Sequence, residues 1–216
     1  MINVNRNEVI RYLGYSGVKN IDESIDKKID ECIDEMNSKV SPRYTYKTFP
    51  IIWNDDKTCE FAGIKVNSGN LLKNLDGCSE IVMMAITLGP EPDMLVRKTE
   101  IRDMLKAYIF QAVGAAMAEA WCNEINDKII EEEKERELHA RPRFSPGYGD
   151  FPLEVQRDFE RILEMPKKIG VTLSDSLLMT PTKSITAVIG LSEIDTKCEK
   201  NGCEQCTMYG KCEYSR

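Results

Sequence analysis

His139-Ala140-Arg141-Pro142-Arg143-Phe144-Ser145-Pro146-Gly147-Tyr148-Gly149-Asp150-Phe151-Pro152 is the stretch on which the reading of this 216-residue chain turns. Pro142 and Pro146 remove backbone donors and fix their own φ, while Gly147 and Gly149 reach conformations that other residues resist. Such a segment reads as an irregular, stiff turn rather than as helix or strand. It carries an arginine fork in Arg143 and an aromatic face in Tyr148. That pairing suits a small anionic ligand that also has a flat ring. An ordinary surface loop of the same composition is the alternative reading.

Outward from the turn, the flanking segments are more regular. Upstream, a helical stretch from about Asp93 to Arg136 has a charged start, a small and apolar middle (Ala107 to Ala120) and an end rich in Glu and Lys. Ala112, Gly114, Ala115, Ala116 and Ala118 permit close approach of a sheet, a helix or a ligand. Glu131, Glu132 and Glu133 read as a solvated helix end. Downstream, Asp150 and Pro152 mark a helix start with Pro at its first position, running to Leu163 with Phe151, Val155, Phe159 and Ile162 on one face. Beyond Pro166, Val171–Met179 and Ile185–Leu191 read as two strands.

Nearer the N-terminus, residues 5 to 15 form a short helix by pattern. Ile21, Ile25, Ile29 and Ile33 then recur every four residues in an amphipathic helix, with Asn20 and Glu23 spaced as a capping box. Tyr44-Thr45-Tyr46-Lys47-Thr48-Phe49 alternates as a strand, and Cys59–Val66 reads as another. Ser68 caps a short helix through Leu71, Leu72 and Leu75. Ile81–Leu88 is a continuous apolar run, the pattern of a strand buried on both faces. Helices and strands interleave without the repeated spacing of βαβ units. The fold class is therefore α+β, with a mostly antiparallel twisted sheet packed with helices.

Composition bounds the function. A formal charge of −7 and the lack of a basic, aromatic groove argue against nucleic acid. No apolar run approaches the ~20 residues of a membrane span, and the start Met-Ile-Asn-Val-Asn-Arg lacks a signal-peptide pattern. The expectation is a soluble, cytoplasmic protein. The chain has 8 cysteines. Cys198, Cys203, Cys206 and Cys212 form a C-x4-C-x2-C-x5-C tail, whose spacing suits a closed Zn2+ site or a [4Fe–4S] cluster without choosing between them. Cys32, Cys59, Cys78 and Cys122 are scattered and read as buried core residues. The single histidine, His139, sits in the loop and reads as incidental.

Arg143-x-x-Pro146-Gly147-Tyr148 resembles the S-adenosylmethionine-binding turn of the activation domain of cobalamin-dependent methionine synthase. Met117-Ala118-Glu119-Ala120-Trp121 is similar to the Ala-Glu-Ala helix that precedes the family's turn, and Pro152-Leu153-Glu154-Val155-Gln156 to the proline-initiated helix that follows it. Gly170–Met179 leading into Pro181–Gly190 resembles the family's Leu-Thr-Glu-Ser, Met-x-Pro and Ser-Val-Ser run. These segments span roughly residues 105 to 192. The resemblance implies that S-adenosylmethionine binds through Glu119, Arg143, Ser145, Gly147 and Tyr148: Arg143 for the ligand carboxylate, Glu119 for its cationic groups, and the main chain at Ser145 for the adenosyl part. Arg141 lies close by, but the motif register selects Arg143. The N-terminal hundred residues show no counterpart of the family's early ligand-holding Asp.

The implied role is reductive reactivation of cob(II)alamin-inactivated methionine synthase, with S-adenosylmethionine as methyl donor and no general base required. The cobalamin would be carried by a partner on which this chain acts in trans, as an accessory subunit with a separate electron donor. Alternatives are a reactivator of another corrinoid methyltransferase, or a non-catalytic docking or electron-transfer module whose pocket has decayed. The expected organisation is an N-terminal α+β part at 1–90, a ligand-binding core of the same domain at 91–196, and a Cys-rich tail at 197–216.

Overall fold

Glu80–Thr87 forms the strand around which the molecule is built, and its burial explains the unbroken apolar run Ile81–Ile86 within it. Ile81, Met83 and Ala85 pack into one core cluster, while Val82, Met84 and Ile86 pack into another on the opposite face. A strand covered on both sides cannot alternate apolar with polar residues.

The computed structural model describes residues 1–15, 22–55 and 58–195. In chain order the helices and strands are α1 (Arg6–Tyr12), α2 (Glu23–Asn37), β1 (Arg43–Pro50), β2 (Ile52–Trp53), β3 (Cys59–Phe61), β4 (Ile64–Lys65), α3 (Gly69–Leu75), β5 (Glu80–Thr87), α4 (Glu91–Glu100), α5 (Met104–Lys134) and β6 (His139–Ala140). After a 3₁₀ turn at Leu153–Val155 come α6 (Gln156–Ile162), α7 (Met165–Lys168), β7 (Thr172–Leu173), β8 (Met179–Thr180) and β9 (Ser184–Ser192). The main sheet has four strands in the order β1-β5-β9-β6, all antiparallel. The α+β reading is correct. Residues on either side of position 90 share this sheet, since β1 and β5 pair directly or through each other with β9.

One face of the sheet carries Cys122, Ile125 and Ile129 from the C-terminal half of α5. The other carries Leu71 and Leu75 of α3, Phe159 of α6 and Phe61 of β3. The N-terminal half of α5 leaves the sheet and packs Ile109, Phe110, Val113 and Met117 against Val9, Ile29, Met36 and Leu95. Most of the small, apolar middle of α5 is buried by this packing, with Tyr108 and Gln111 left exposed.

Several local expectations are corrected. The long helical stretch is two helices, interrupted at Ile101–Asp103, where the Asp103 side chain accepts from the Lys106 N–H and starts α5. Asp22, not Asn20, caps α2 by accepting from the Ser24 N–H; Asn20 lies outside the described residues. Cys59–Val66 is a hairpin of β3 and β4, turned at Ala62 and Gly63, both at positive φ. Val171–Met179 is likewise not one strand, because β7 pairs with β8 across a turn. Glu133 is buried and paired with Arg136 at 2.6 Å, whereas Glu131 and Glu132 are exposed. Pro152 precedes the 3₁₀ turn rather than opening an α-helix directly.

Cys32, Cys59, Cys78 and Cys122 are buried, as expected of core thiols. Burial pushes Cys32, Cys59 and Cys122 up to about 11. No described helix is long and apolar enough to cross a membrane.

Candidate functional site

The segment from Arg141 to Phe151 is fastened to the sheet at one end and folded into a tight turn at the other. Arg141 N–H donates to Gly190 O at 2.7 Å, and Phe144 and Val188 exchange main-chain bonds of 2.9 and 2.8 Å. Tyr148 N–H then donates to Ser145 O at 3.1 Å, enclosing Pro146 and Gly147. Gly147 has φ +89°, so Pro146 followed by a positive-φ glycine has the signature of a type II turn. A Cβ on Gly147 would stand 3.2 Å from Leu153 Cδ1. His139, expected in the loop, lies instead in β6, with Nδ1 3.9 Å from the Asp195 carboxylate.

Asp150 closes the far side of the turn. Its carboxylate accepts from the Ser68 hydroxyl, from Gly69 N–H at 2.7 Å and from Asn70 N–H at 3.2 Å. A residue read as the start of the next helix therefore serves α3, whose N-terminal donors have no partner within the helix. The bond from Ser68, with those from the Asn70 and Gly69 main chain, holds the Asp150 carboxyl below its ordinary value.

Between this turn, α5, α6 and β9 lies a cleft of about 510 Å³. Glu119, Arg143, Ser145 and Tyr148 of the sequence-derived set line it; Gly147 shapes the turn between two lining residues. Arg143 Nη2 donates to Glu119 Oε2 at 2.8 Å and Nη1 to Asn123 Oδ1 at 2.5 Å. The pair faces the cleft with the remaining guanidinium donors uncommitted to either partner. Arg141, the neighbouring arginine, instead donates to Asp76 O at 2.9 Å and is not a lining residue. The Tyr12 hydroxyl of α1 is raised above its ordinary value, first by burial and then by the Glu119 charge.

Phe144, Pro146, Gln156, Met179, Ser184, Ile185 and Thr186 complete the lining. Gln156 and Met179 through Thr186 fall inside segments already singled out by sequence, yet no spacing rule marked them individually. A neutral amide or hydroxyl becomes a site residue only through where the fold puts it. Tyr148 is 67% exposed, leaving its ring face open to a ligand.

A family model described as vitamin B12 dependent methionine synthase, activation domain, matches residues 73–209, more than half of the chain. The chain belongs to this family. A solved structure titled "Crystal Structure of the MetH Reactivation Domain bound to AdoHcy" matches this member of the family with a TM-score of 0.61 at 19% identity. The alignment covers 81% of this chain and 66% of that one, so the chain spans just under two thirds of its length. The likeness is one of fold. No curated protein matches the chain.

Among the described residues of this activation domain, no group of His, Cys, Asp and Glu is placed to hold a metal ion. Cys198, Cys203, Cys206 and Cys212 lie outside the described residues.

Proposed function

We propose that the cleft binds S-adenosylmethionine and presents its methyl group to the cobalamin of a partner methionine synthase. The observation that carries this reading is the Glu119–Arg143 ion pair on the wall of a cleft whose rim is the Ser145–Tyr148 turn. An α-amino acid zwitterion needs an anion and a cation side by side, and that pair offers them 2.8 Å apart. Arg143 takes the carboxylate through its fork, a charge-assisted contact that also orients the ligand. Glu119 takes the ammonium and faces the sulfonium. Asn123 holds the guanidinium in place when the ligand arrives.

Among described residues only a positioning role is asked of the chain. A one-electron reduction of cob(II)alamin by an external donor gives a nucleophile that takes the methyl group from sulfur, leaving S-adenosylhomocysteine and methylcobalamin. The residues of the cleft hold the electrophile and keep its sulfonium accessible, which is catalysis by orientation. The tail thiolates Cys198, Cys203, Cys206 and Cys212 extend this reading as ligands of Zn2+ or a [4Fe–4S] cluster. Metal analysis and a visible spectrum of anaerobically purified protein distinguish the two.

Calorimetric titration with S-adenosylmethionine tests the site. Saturable binding by the wild type that falls at least about tenfold in Arg143→Ala is expected, from the ~1.5–3 kcal/mol of a hydrogen bond to a charged group. Binding unchanged by that substitution moves the ligand elsewhere. No binding, with and without the corrinoid partner, leaves a docking module instead.

A further inference from the structure

β9 is paired along one edge and only partly along the other. β5 covers it from Ser184 to Leu191, but β6 reaches only Leu191 and Ser192, and Phe144 bridges Val188. Main-chain polar groups of successive strand residues point to opposite edges. Val188 bonds to Phe144 and Gly190 O accepts from Arg141, so the even-numbered residues face away from β5. Thr186 is the next in that series, and at Thr186 the opposing segment has already turned away at Pro146, one of the residues lining the cleft with Thr186 itself. The N–H and C=O of Thr186 thus form an open strand edge on the cleft. Such an edge binds the rim of a flat heterocycle but is the same for every residue type, and so discriminates little.

Gln156 supplies what the edge lacks. It is the first residue of α6, only 5% exposed, and lines the cleft beside Thr186. Its one side-chain hydrogen bond among the described residues is accepted by Oε1 from Thr186 Oγ1 at 3.0 Å. That bond fixes the amide orientation. It leaves the amide N–H2 and the second Oε1 lone pair for another partner. The residue is only 5% exposed, yet its amide nitrogen opens onto the cleft, where a ligand group can take its N–H2 donors in place of water.

We propose that Gln156 is the specificity-determining residue for the base of the ligand, selecting a 6-aminopurine over a 6-oxopurine. This rests on the S-adenosylmethionine reading above and names the residue that would select its base. A side-chain amide matches adenine bidentately, accepting from the 6-amino group and donating to a ring nitrogen. Hypoxanthine replaces that donor by an acceptor, which would oppose Oε1. Thr186 acts through Gln156 as a positioning residue, since its hydroxyl determines which end of the amide faces which ring atom.

The test is titration of S-adenosylhomocysteine and S-inosylhomocysteine into the wild type, Gln156→Glu, Gln156→Leu and Thr186→Val, with thermal melts confirming each fold. The wild type is expected to prefer the adenosyl compound by about tenfold or more, the discrimination of one good amide–base pair. Gln156→Leu abolishes that preference by weakening the adenosyl compound. Gln156→Glu keeps the size and the Thr186 bond but loses both amide donors, and reduces the preference in the same way. Thr186→Val reduces it by less than either. A preference that survives in both folded Gln156 variants overturns the assignment while leaving the cleft as the ligand site. Failure of the wild type to bind either compound overturns the site reading and this inference together.

Discussion

Gly147 sits inside the turn, at a position where one added methyl group would disturb it. With φ at +89° a side chain strains the backbone, and its Cβ would press on Leu153 Cδ1 at 3.2 Å. Gly147→Ala is expected to lower stability by about 1 kcal/mol or more in urea denaturation, and to weaken S-adenosylmethionine more than that loss of folding explains. Asp150 gives a pH-dependent test. Its folded pKa lies below the ordinary 3.8, mainly because it accepts from Ser68. The stabilisation is therefore complete above the unfolded value and disappears as pH falls through the lower folded value. The urea midpoints of wild type and Asp150→Asn should differ at pH 7 and converge in acid below 3.8. A gap that persists to lower pH would show that the charge is not what Ser68 and the α3 donors hold. Arg143, Ser145, Gly147 and Tyr148 were legible because arginine, proline, glycine and tyrosine each have a strong local meaning. Gln156 and Thr186 were not, since an amide and a hydroxyl take their meaning from the strand edge beside them.

Elements are held apart or let together by small residues, and Gly190 of β9 is the clearest case. A Cβ there would meet Cys78 Sγ and Leu75 Cδ2, each at 2.8 Å, so its absence lets α3 lie on the sheet. Gly190→Ala should destabilise by roughly 1–3 kcal/mol through overpacking, read as a lower urea midpoint with an unchanged m-value. A neutral substitution would mean that α3 is less tightly seated than the distances imply. At this scale the sequence was informative about type and weaker about limits. The apolar run at Ile81–Leu88 coincides with β5 except for Leu88, just beyond its end, and the stripe from Ile25 to Ile33 lies within α2. The break at Ile101–Asp103 was hidden because no Gly or Pro marks it; Asp103 acts as a cap only once α4 turns back onto α5. The β7–β8 turn was hidden for a similar reason, since Ser174–Leu178 closes through a Leu177 at positive φ rather than through glycine.

For the whole molecule, the order of elements explains how a single long helix can serve both packing and recognition. The N-terminal half of α5 is buried among α1, α2 and α4, and its C-terminal half lies on the sheet. Glu119 stands where the two environments meet, beside the cleft. Glu119 is thereby mounted on an element packed on both sides, and the segment bonded to β9 at Arg141 and Phe144 brings Arg143 to it, which favours a defined orientation of the sulfonium. Methyl transfer to a corrinoid partner tests the account most directly. Cobalamin-loaded methionine synthase in the cob(II)alamin state is incubated anaerobically with a reductant and S-adenosylmethionine labelled in its methyl group. The account predicts labelled methylcobalamin and an equal amount of S-adenosylhomocysteine when the wild-type chain is present, and little of either with Arg143→Ala. Equal label on the corrinoid with the wild type, with Arg143→Ala and without the chain would contradict it.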